Sequence, residues 1–313
     1  MITSEKLHSQ WAAVLPFGKG FLQVEASSPL DWHVGFEGIE EPCLVMISTL
    51  EPAELNSSKS IVVSKRRRPD DGRWTLTFTL KRSEQISVFE ILCADIVSST
   101  ESAPDEKRAL EKLSARYKQW HKLLERQKTS LMDESSRKGL LGELIYLREL
   151  VEGGLDPLTA VQGWTGPDGG DQDFVYADGW REIKSVGISS AEVMISSLEQ
   201  LANPDPGELV VLRIDKCAPQ QAGAYSLGEA ADLVLKAVEG SADAKMLLEN
   251  KLTRYGYIDI PEYRKQKYKY SSKTRYSIDS TFPKLTADAV PPQVTKTQYA
   301  LSLAGIDDWR LED

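Results

Sequence analysis

The sequence has few cysteines and histidines, the residues from which thiolate and imidazole metal sites are built. Only three cysteines and three histidines occur among 313 residues, and Cys43, Cys93 and Cys217 lie far apart. This spacing matches neither a zinc-binding pattern nor a disulfide framework, and it favours buried thiols in a reducing cytoplasm. All three histidines fall in the first half of the chain, which argues against a histidine-dependent nuclease or a zinc hydrolase.

Long apolar segments are also missing. No run approaches the roughly 20 apolar residues of a membrane span, and the first residues, M-I-T-S-E-K, do not form a signal-peptide core. Charged residues make up 27% and hydrophobic residues 41% of the chain, which is typical of a globular protein. The net charge of -9 argues against indiscriminate coating of nucleic acid but permits a local basic groove. We expect a cytoplasmic protein that does not associate with membranes.

The length suggests two domains, and the hydrophobic periodicity changes along the chain. Residues 1–100 are dominated by short strand patterns and predict a β-rich N-terminal domain. The clearest strand is Trp74 to Leu80, in which apolar residues alternate with threonines. A helical period follows, and we interpret residues 101–130 as a helical connector. Residues 131–313 mix helix and strand patterns, so we predict an α/β domain there, or α+β for the whole chain.

A hairpin is predicted around Asp178-Gly179, a dipeptide that favours a two-residue turn. If these two residues form the loop, Asp173 faces Lys184 across the hairpin. Side chains alternate along a strand, so one face collects Asp173, Val175, Glu182 and Lys184. Two carboxylates on a rigid sheet can bind a hard cation such as magnesium, and a nearby lysine can activate water or offset phosphate charge. The alternative is that Glu182 and Lys184 are ordinary solvated strand residues.

A helix is predicted from about Asp133 to Glu152, ending at Gly153-Gly154. Glu143 falls inside the apolar arc of this helix, where a carboxylate is costly unless it is paired or bound to a metal. A structural pair between Glu143 and Arg148 would explain this position without any function. Considered with the hairpin, Glu143 becomes a third carboxylate of the candidate site.

Further elements are predicted after the helix. Residues 163–170 form a turn-rich loop, in which Trp164 is expected to fill the core; the alternative is that it stacks on a base. A helix is predicted over about Ala191 to Leu201, with Gln200 near its end. The continuous apolar run from Leu209 to Ile214 predicts a strand covered on both faces.

A basic, tyrosine-rich stretch occurs between residues 263 and 276. It predicts contact with phosphates and stacking on bases. Its candidate nucleic-acid-binding residues are Lys265, Lys267, Lys269, Lys273 and Arg275. The alternative is a solvated loop whose tyrosines anchor it to the domain.

The order of these elements and motifs is similar to the core of the PD-(D/E)XK nuclease superfamily, over roughly residues 135–215. More specifically, the chain resembles a bacterial family assigned to that superfamily and often encoded near DNA methyltransferases, helicases and other phage-defence genes. The motifs that carry this resemblance are G-L-L-G-E-L at 139–144, W-x-G-P at 164–167, Q-D-F at 172–174, E-I-K-S at 182–185, S-L-E-Q-L at 197–201 and F-P-K-L at 282–285.

The resemblance implies a restriction-endonuclease-like core, a mixed sheet flanked by helices, within residues 131–313. It implies that Asp173, Glu182 and the Ile183 carbonyl bind Mg²⁺, with Mn²⁺ as a substitute. Glu143 would complete or orient the metal shell. Lys184 would assist attack of water on a phosphodiester, leaving a 5′-phosphate, and Gln200 matches a glutamine of some members.

One departure from the motif is that Gln172 replaces its proline, which is not a ligand. A literal Pro167-Asp168 also occurs, but the glycines after it place it in the loop, and Asp173 alone faces Lys184 in the predicted hairpin.

The implied function is endonucleolytic cleavage of double-stranded DNA in restriction or anti-phage defence. The N-terminal domain would contact DNA or a partner subunit. Defence-system proteins and a second copy of the chain are the expected protein partners. Two alternatives remain: a nuclease-like subunit that binds DNA or assembles a complex without cleaving, and a non-nuclease scaffold with a solvated acidic face.

Overall fold

The computed structural model describes residues 2–14, 20–38, 41–125, 131–291 and 293–312. The chain divides into two compact units, Met1–Leu131 and Met132–Asp313. No helix in the described ranges combines the length and the apolar character needed to cross a membrane.

The first unit is built on an antiparallel sheet with the strand order β1-β2-β3-β5-β4. Its elements are α1 (Ser4–Ala13), β1 (Leu22–Val24), β2 (Asp31–Gly38), β3 (Glu41–Ser48), β4 (Ile61–Arg67), β5 (Trp74–Leu80), α2 (Ile86–Thr100) and α3 (Glu106–Glu125). The strand predicted at Trp74 to Leu80 is confirmed, and Leu76, Phe78 and Leu80 are buried along it.

Helix α3 covers most of the segment interpreted as a connector. Its Arg116 pairs with Asp95 of α2, and the Tyr117 hydroxyl donates a hydrogen bond to the Asn56 carbonyl at 2.8 Å. These contacts lie inside the first unit, so α3 packs as part of that unit's core.

The second unit contains a mixed sheet with the order β10-β11-β9-β7-β6 and a two-stranded sheet of β12 and β8. Its elements are α4 (Glu134–Glu152), α5 (Pro157–Gly163), β6 (Phe174–Tyr176), β7 (Gly179–Val186), β8 (Glu192–Ile195), β9 (Gly207–Cys217), β10 (Ala224–Tyr225), α6 (Leu227–Ala237), α7 (Ala242–Tyr255), α8 (Glu262–Lys265), β11 (Lys267–Ile278) and β12 (Tyr299–Ser302). The predicted α/β class with a mixed sheet is confirmed.

Strand β9 is the centre of this sheet. It runs parallel to β7 and antiparallel to β11, and Leu209 to Leu212 are buried. The continuous apolar run therefore predicts the central strand correctly, because a strand covered on both faces has no polar face to alternate with.

The helix predicted over residues 191–201 is wrong. Its first half is the strand β8, in which Val193 and Ile195 are buried and Met194 is exposed. Apolar residues at a spacing of two fit a strand, and pairing with the distant β12 stabilises that choice. Gln200 lies on a single 3-10 turn, Glu199–Leu201.

Helix α4 is confirmed at both ends. The Asp133 side chain accepts a hydrogen bond from the Ser136 backbone N–H at 2.7 Å, and Gly154 after the helix has a φ of 97°. Gly142 lets α4 lie directly on β7, since a Cβ there would stand 2.2 Å from the Ser185 Oγ. This close packing brings Glu143 over the sheet.

The predicted hairpin forms, but its loop is Ala177 and Asp178. Gly179 pairs with Tyr176 and has a φ of 132°, and a Cβ on it would stand 2.2 Å from the Pro206 carbonyl oxygen. The glycine is therefore required at the start of β7 and is not part of the turn. The predicted pairing of Asp173 with Lys184 is wrong. In the observed register, each β6 residue pairs with a β7 residue two positions earlier than predicted. A shift of two residues leaves every side chain on its predicted face.

Candidate active site

The three candidate carboxylates line one pocket of about 650 Å³ in the second unit, together with Glu192 of β8. Glu143 comes from α4, Asp173 directly precedes β6, and Glu182 lies on β7. Lys184, Ile183 and Gln200 line the same pocket. All six residues named as candidate catalytic or metal-binding groups are thus brought together.

Glu143 is buried and held by two donors. The indole Nε1–H of Trp164 donates to Oε2 at 2.7 Å, and the Tyr255 hydroxyl donates to Oε1 at 2.8 Å. The alternative pair with Arg148 is wrong, because Arg148 pairs with Glu152 instead. Glu143 is therefore satisfied by groups that fix its orientation.

Asp173 is held through both its side chain and its backbone. Oδ2 accepts a hydrogen bond from the Ile183 backbone N–H at 2.8 Å, and its carbonyl accepts one from the Thr165 N–H at 2.8 Å. A Cβ placed on Gly166 would lie 3.2 Å from Asp173 Oδ1 and 3.3 Å from Glu143 Oε2. Asp173 and Glu143 therefore face the same small space beside Gly166.

Glu182 is 1% exposed, so its interpretation as a solvated strand residue is wrong. The Lys184 Nζ lies 2.8 Å from its Oε1. That contact is an ion pair by distance, and neither Glu182 oxygen takes part in a hydrogen bond of good geometry with the described residues. A buried carboxylate in this state needs a further cation or donor.

Lys184 is also partly buried and contacts Gln200. Its Nζ donates to the Gln200 Oε1 at 3.0 Å, and the Ser196 backbone N–H donates to the same oxygen at 2.8 Å. Gln200 therefore reaches the predicted position, although it does so from a 3-10 turn and not from a helix.

Burial raises the pKa of all three carboxyl groups, and repulsion from Asp173 raises it further in Glu143 and Glu182. Burial, followed by repulsion from Asp173, raises the pKa of Glu182 to about 8, against the opposing effect of Lys184. Burial and Asp173 raise the pKa of Glu143 well above its usual range, and the Trp164 and Tyr255 donors oppose this. Burial also raises the pKa of Asp173, while the Ile183 N–H lowers it. Adjacent buried carboxylates of this kind are stabilised by a cation placed between them.

The donor set suits a hard divalent cation, since Asp173, Glu182 and Glu143 offer carboxylate oxygens to the pocket. Among the described residues, no group of three or more His, Cys, Asp or Glu is arranged to hold a metal ion. Magnesium is commonly bound through one or two carboxylates and several waters. Asp173 and the unsatisfied Glu182 oxygens fit such a two-carboxylate magnesium site. The Ile183 carbonyl could supply a third oxygen, and Glu143 could orient the ligands.

The basic stretch predicted to contact nucleic acid lies on α8 and β11, and four of its five candidate residues form ion pairs within the chain. Ion pairs join Lys265 to Glu262, Lys267 to Glu229, Lys273 to Glu149 and Arg275 to Glu208. Lys269 donates to the Ala222 carbonyl at 2.8 Å. Nucleic-acid binding by these residues stays a prediction, and the ion pairs reduce the charge available for it.

The groups that support Glu143 are not predicted from the sequence. The core position of Trp164 is confirmed by its complete burial, but its hydrogen bond to the carboxylate is not predicted. Tyr255 and Lys251 on α7 are not predicted either. A weak signal was present, since a lysine and a tyrosine four residues apart share one helix face.

A mixed sheet with an aspartate directly before one strand and the E-I-K motif on the next is consistent with an α+β fold of the PD-(D/E)XK type. The chain belongs to the family described as "Putative PD-(D/E)XK family member, (DUF4420)", whose model matches residues 7–304. The match spans most of both units. Comparison with curated proteins and with solved structures finds no match.

Proposed function

We propose that the protein is a metal-dependent endodeoxyribonuclease that hydrolyses phosphodiester bonds in double-stranded DNA. One observation carries the proposal: Asp173, Glu182 and Lys184 line one pocket, with Glu182 buried and unsatisfied next to the lysine. A purely structural role would leave Glu182 with Lys184 as its one cationic partner, against burial and repulsion from Asp173.

Asp173, Glu182 and the Ile183 carbonyl would hold Mg²⁺, and Mn²⁺ could replace it. When bound, the metal supplies Lewis acidity and makes an attacking hydroxide available near neutral pH. Glu143 keeps one orientation because Trp164 and Tyr255 occupy both of its oxygens.

Lys184 would orient the attacking water and offset the charge that develops on the phosphate. Its ammonium lies at the pocket wall between Glu182 and Gln200, so its position is fixed before substrate arrives. Charge placed in advance is worth most in a site that excludes water.

The biological setting rests on the family resemblance. We propose a cytoplasmic role in restriction or anti-phage defence, with defence-system proteins as partners. A homodimer would allow both DNA strands to be cut.

Two observations favour a second candidate, a nuclease-like subunit that binds DNA or assembles a complex without cleaving. The described residues form no ready three-ligand metal group, and both Glu143 oxygens already accept hydrogen bonds. Such a subunit would bind DNA with equal affinity in magnesium and in chelator.

The test uses supercoiled plasmid incubated with wild type, Lys184→Met and Lys245→Met, each with magnesium, manganese or chelator. Lys245 is an exposed lysine of the same unit outside the pocket, so it controls for loss of a charge. Metal-dependent nicking that only Lys184→Met abolishes supports the nuclease. Absence of nicking, together with no change in wild-type melting temperature on adding metal, contradicts it and favours the non-cleaving subunit.

A further inference from the structure

Lys251 of α7 is buried, and its side chain is only 4% exposed. Its ammonium donates to the Gln162 carbonyl at 3.1 Å and to the Trp164 carbonyl, and it pairs with Asp168 Oδ2 at 3.0 Å. An ammonium has three N–H donors. All three are thus directed at one short loop, residues 162–168.

The opposite side of that loop forms part of the candidate active site. Trp164 donates its indole N–H to Glu143, and Gly166 abuts the carboxylates of both Glu143 and Asp173. The Gly166 backbone N–H also donates to the Asp173 carbonyl at 3.1 Å. Any displacement of the loop would therefore move groups that contact two of the three acidic residues.

Helix α7 supports Glu143 a second time. Tyr255 lies four residues after Lys251, on the same helix face, and its hydroxyl donates to Glu143 Oε1. The rings of Trp164 and Tyr255 stack with centroids 6.2 Å apart. One face of α7 therefore positions the Glu143 carboxylate in two ways. Tyr255 contacts it directly, and Lys251 holds the loop whose Trp164 contacts it.

The aspartate of the literal Pro167-Asp168 is the anionic partner in this arrangement. Burial opposes its ionisation, but its bonds to Lys251 and Arg254 outweigh that effect and keep the pKa of Asp168 below its usual range. A buried ammonium without an ionised partner would be costly. Asp168 therefore holds the loop from outside the pocket, whose lining includes Asp173 and not Asp168.

We propose that Lys251 is a positioning residue: its buried ammonium fixes the 162–168 loop, and the loop holds the Glu143 carboxylate through Trp164. The consequence for DNA cleavage rests on the proposed function, but the effect on Trp164 does not.

The test follows exchange of the Trp164 indole N–H by ¹⁵N NMR in the full-length protein, with the resonance assigned from Trp164→Phe. In Lys251→Met and in Asp168→Asn, this N–H is expected to exchange at least about tenfold faster. The indole of Trp180, which donates to the Asp205 carbonyl in the same unit, is expected to keep its wild-type rate. Arg254→Gln is the matched control, since Arg254 contacts the same Asp168 from an exposed position.

If the Trp164 indole N–H exchanges at the wild-type rate in folded Lys251→Met, the proposal is overturned. It is also overturned if the indole N–H groups of all tryptophans in the unit exchange faster by the same factor. If Lys251→Met does not fold, Asp168→Asn decides by the same criterion.

Where wild type nicks plasmid, Lys251→Met is expected to lower kcat by about tenfold or more with KM unchanged. A wild type that does not nick would contradict the proposed function and leave the exchange result standing.

Discussion

The ammonium nitrogen of Lys184 lies 3.0 Å from Oε1 of Gln200, and this oxygen also accepts the backbone N–H of Ser196. The Ser196 bond fixes which end of the amide faces the lysine. The Gln200 amide therefore helps to hold the Lys184 ammonium in the pocket wall beside Glu182.

The first prediction concerns this contact. Gln200→Leu removes the acceptor and is expected to lower nicking less than Lys184→Met does, because the lysine keeps its ion pair with Glu182. The double variant should be no worse than Lys184→Met alone, since the glutamine acts only through the lysine. Nicking rates of the four proteins form a double-mutant cycle that measures the coupling. Additive losses would show that Gln200 acts independently.

The second prediction concerns Gly166. An alanine methyl here would lie 3.2 Å from Asp173 Oδ1 and 3.3 Å from Glu143 Oε2, closer than side chains normally pack. Gly166→Ala is expected to reduce nicking by about tenfold or more, since small displacements of catalytic groups are costly. Gly240→Ala, where the added atom meets nothing within 4 Å, is the control. Equal nicking by Gly166→Ala and Gly240→Ala would show that the space beside Gly166 is not needed for activity.

The third prediction concerns pH. The pKa of Glu182 is raised by burial from its usual 4.5 to about 8, so the native state keeps a proton that the unfolded chain has lost between these values. The free energy of unfolding should therefore fall as pH rises from about 5 to 8 and level off above it. Glu182→Gln cannot ionise and should lose this part of the dependence.

The measurement is thermal or urea unfolding in chelator at several pH values. Glu239→Gln serves as the control, because Glu239 is exposed in the same unit and does not line the pocket. A pH dependence in Glu182→Gln as steep as in wild type would contradict the assigned cause.

The fourth prediction concerns the alignment of β7 on β9. Trp180 pairs with Gly207 across these parallel strands, and a Cβ on Gly207 would stand 2.0 Å from the buried indole ring. Gly207→Ala is expected to reduce the free energy of unfolding by about 2–3 kcal/mol, because a fixed ring cannot yield to the methyl. Urea unfolding with Gly240→Ala as reference measures the loss. If Gly207→Ala lowers the free energy of unfolding no more than Gly240→Ala does, the Trp180 ring must move aside to accept the methyl.

Much of the local structure follows from the sequence. Alternation predicts β5, a continuous apolar run predicts β9, and the Asp133 and Gly153-Gly154 signals predict both ends of α4. The face shared by Asp173, Glu182 and Lys184 was also predicted correctly, although the turn was misplaced by one residue. It survived because moving the loop by one residue shifts strand partners by two, which preserves the alternation of faces.

Other features depend on contacts between distant segments. Residues 191–201 satisfy a helical spacing in isolation, and only pairing of β8 with β12, about a hundred residues later, selects the strand. The donors to Glu143 come from Trp164 and Tyr255, and the cation that holds the Trp164 loop comes from Lys251. The sequence by itself determined which residues carry the charge and on which strand face they lie, because these depend on local periodicity. Only the tertiary structure decided which buried groups hold them, because a hydrogen bond between remote segments leaves no periodic pattern in the chain.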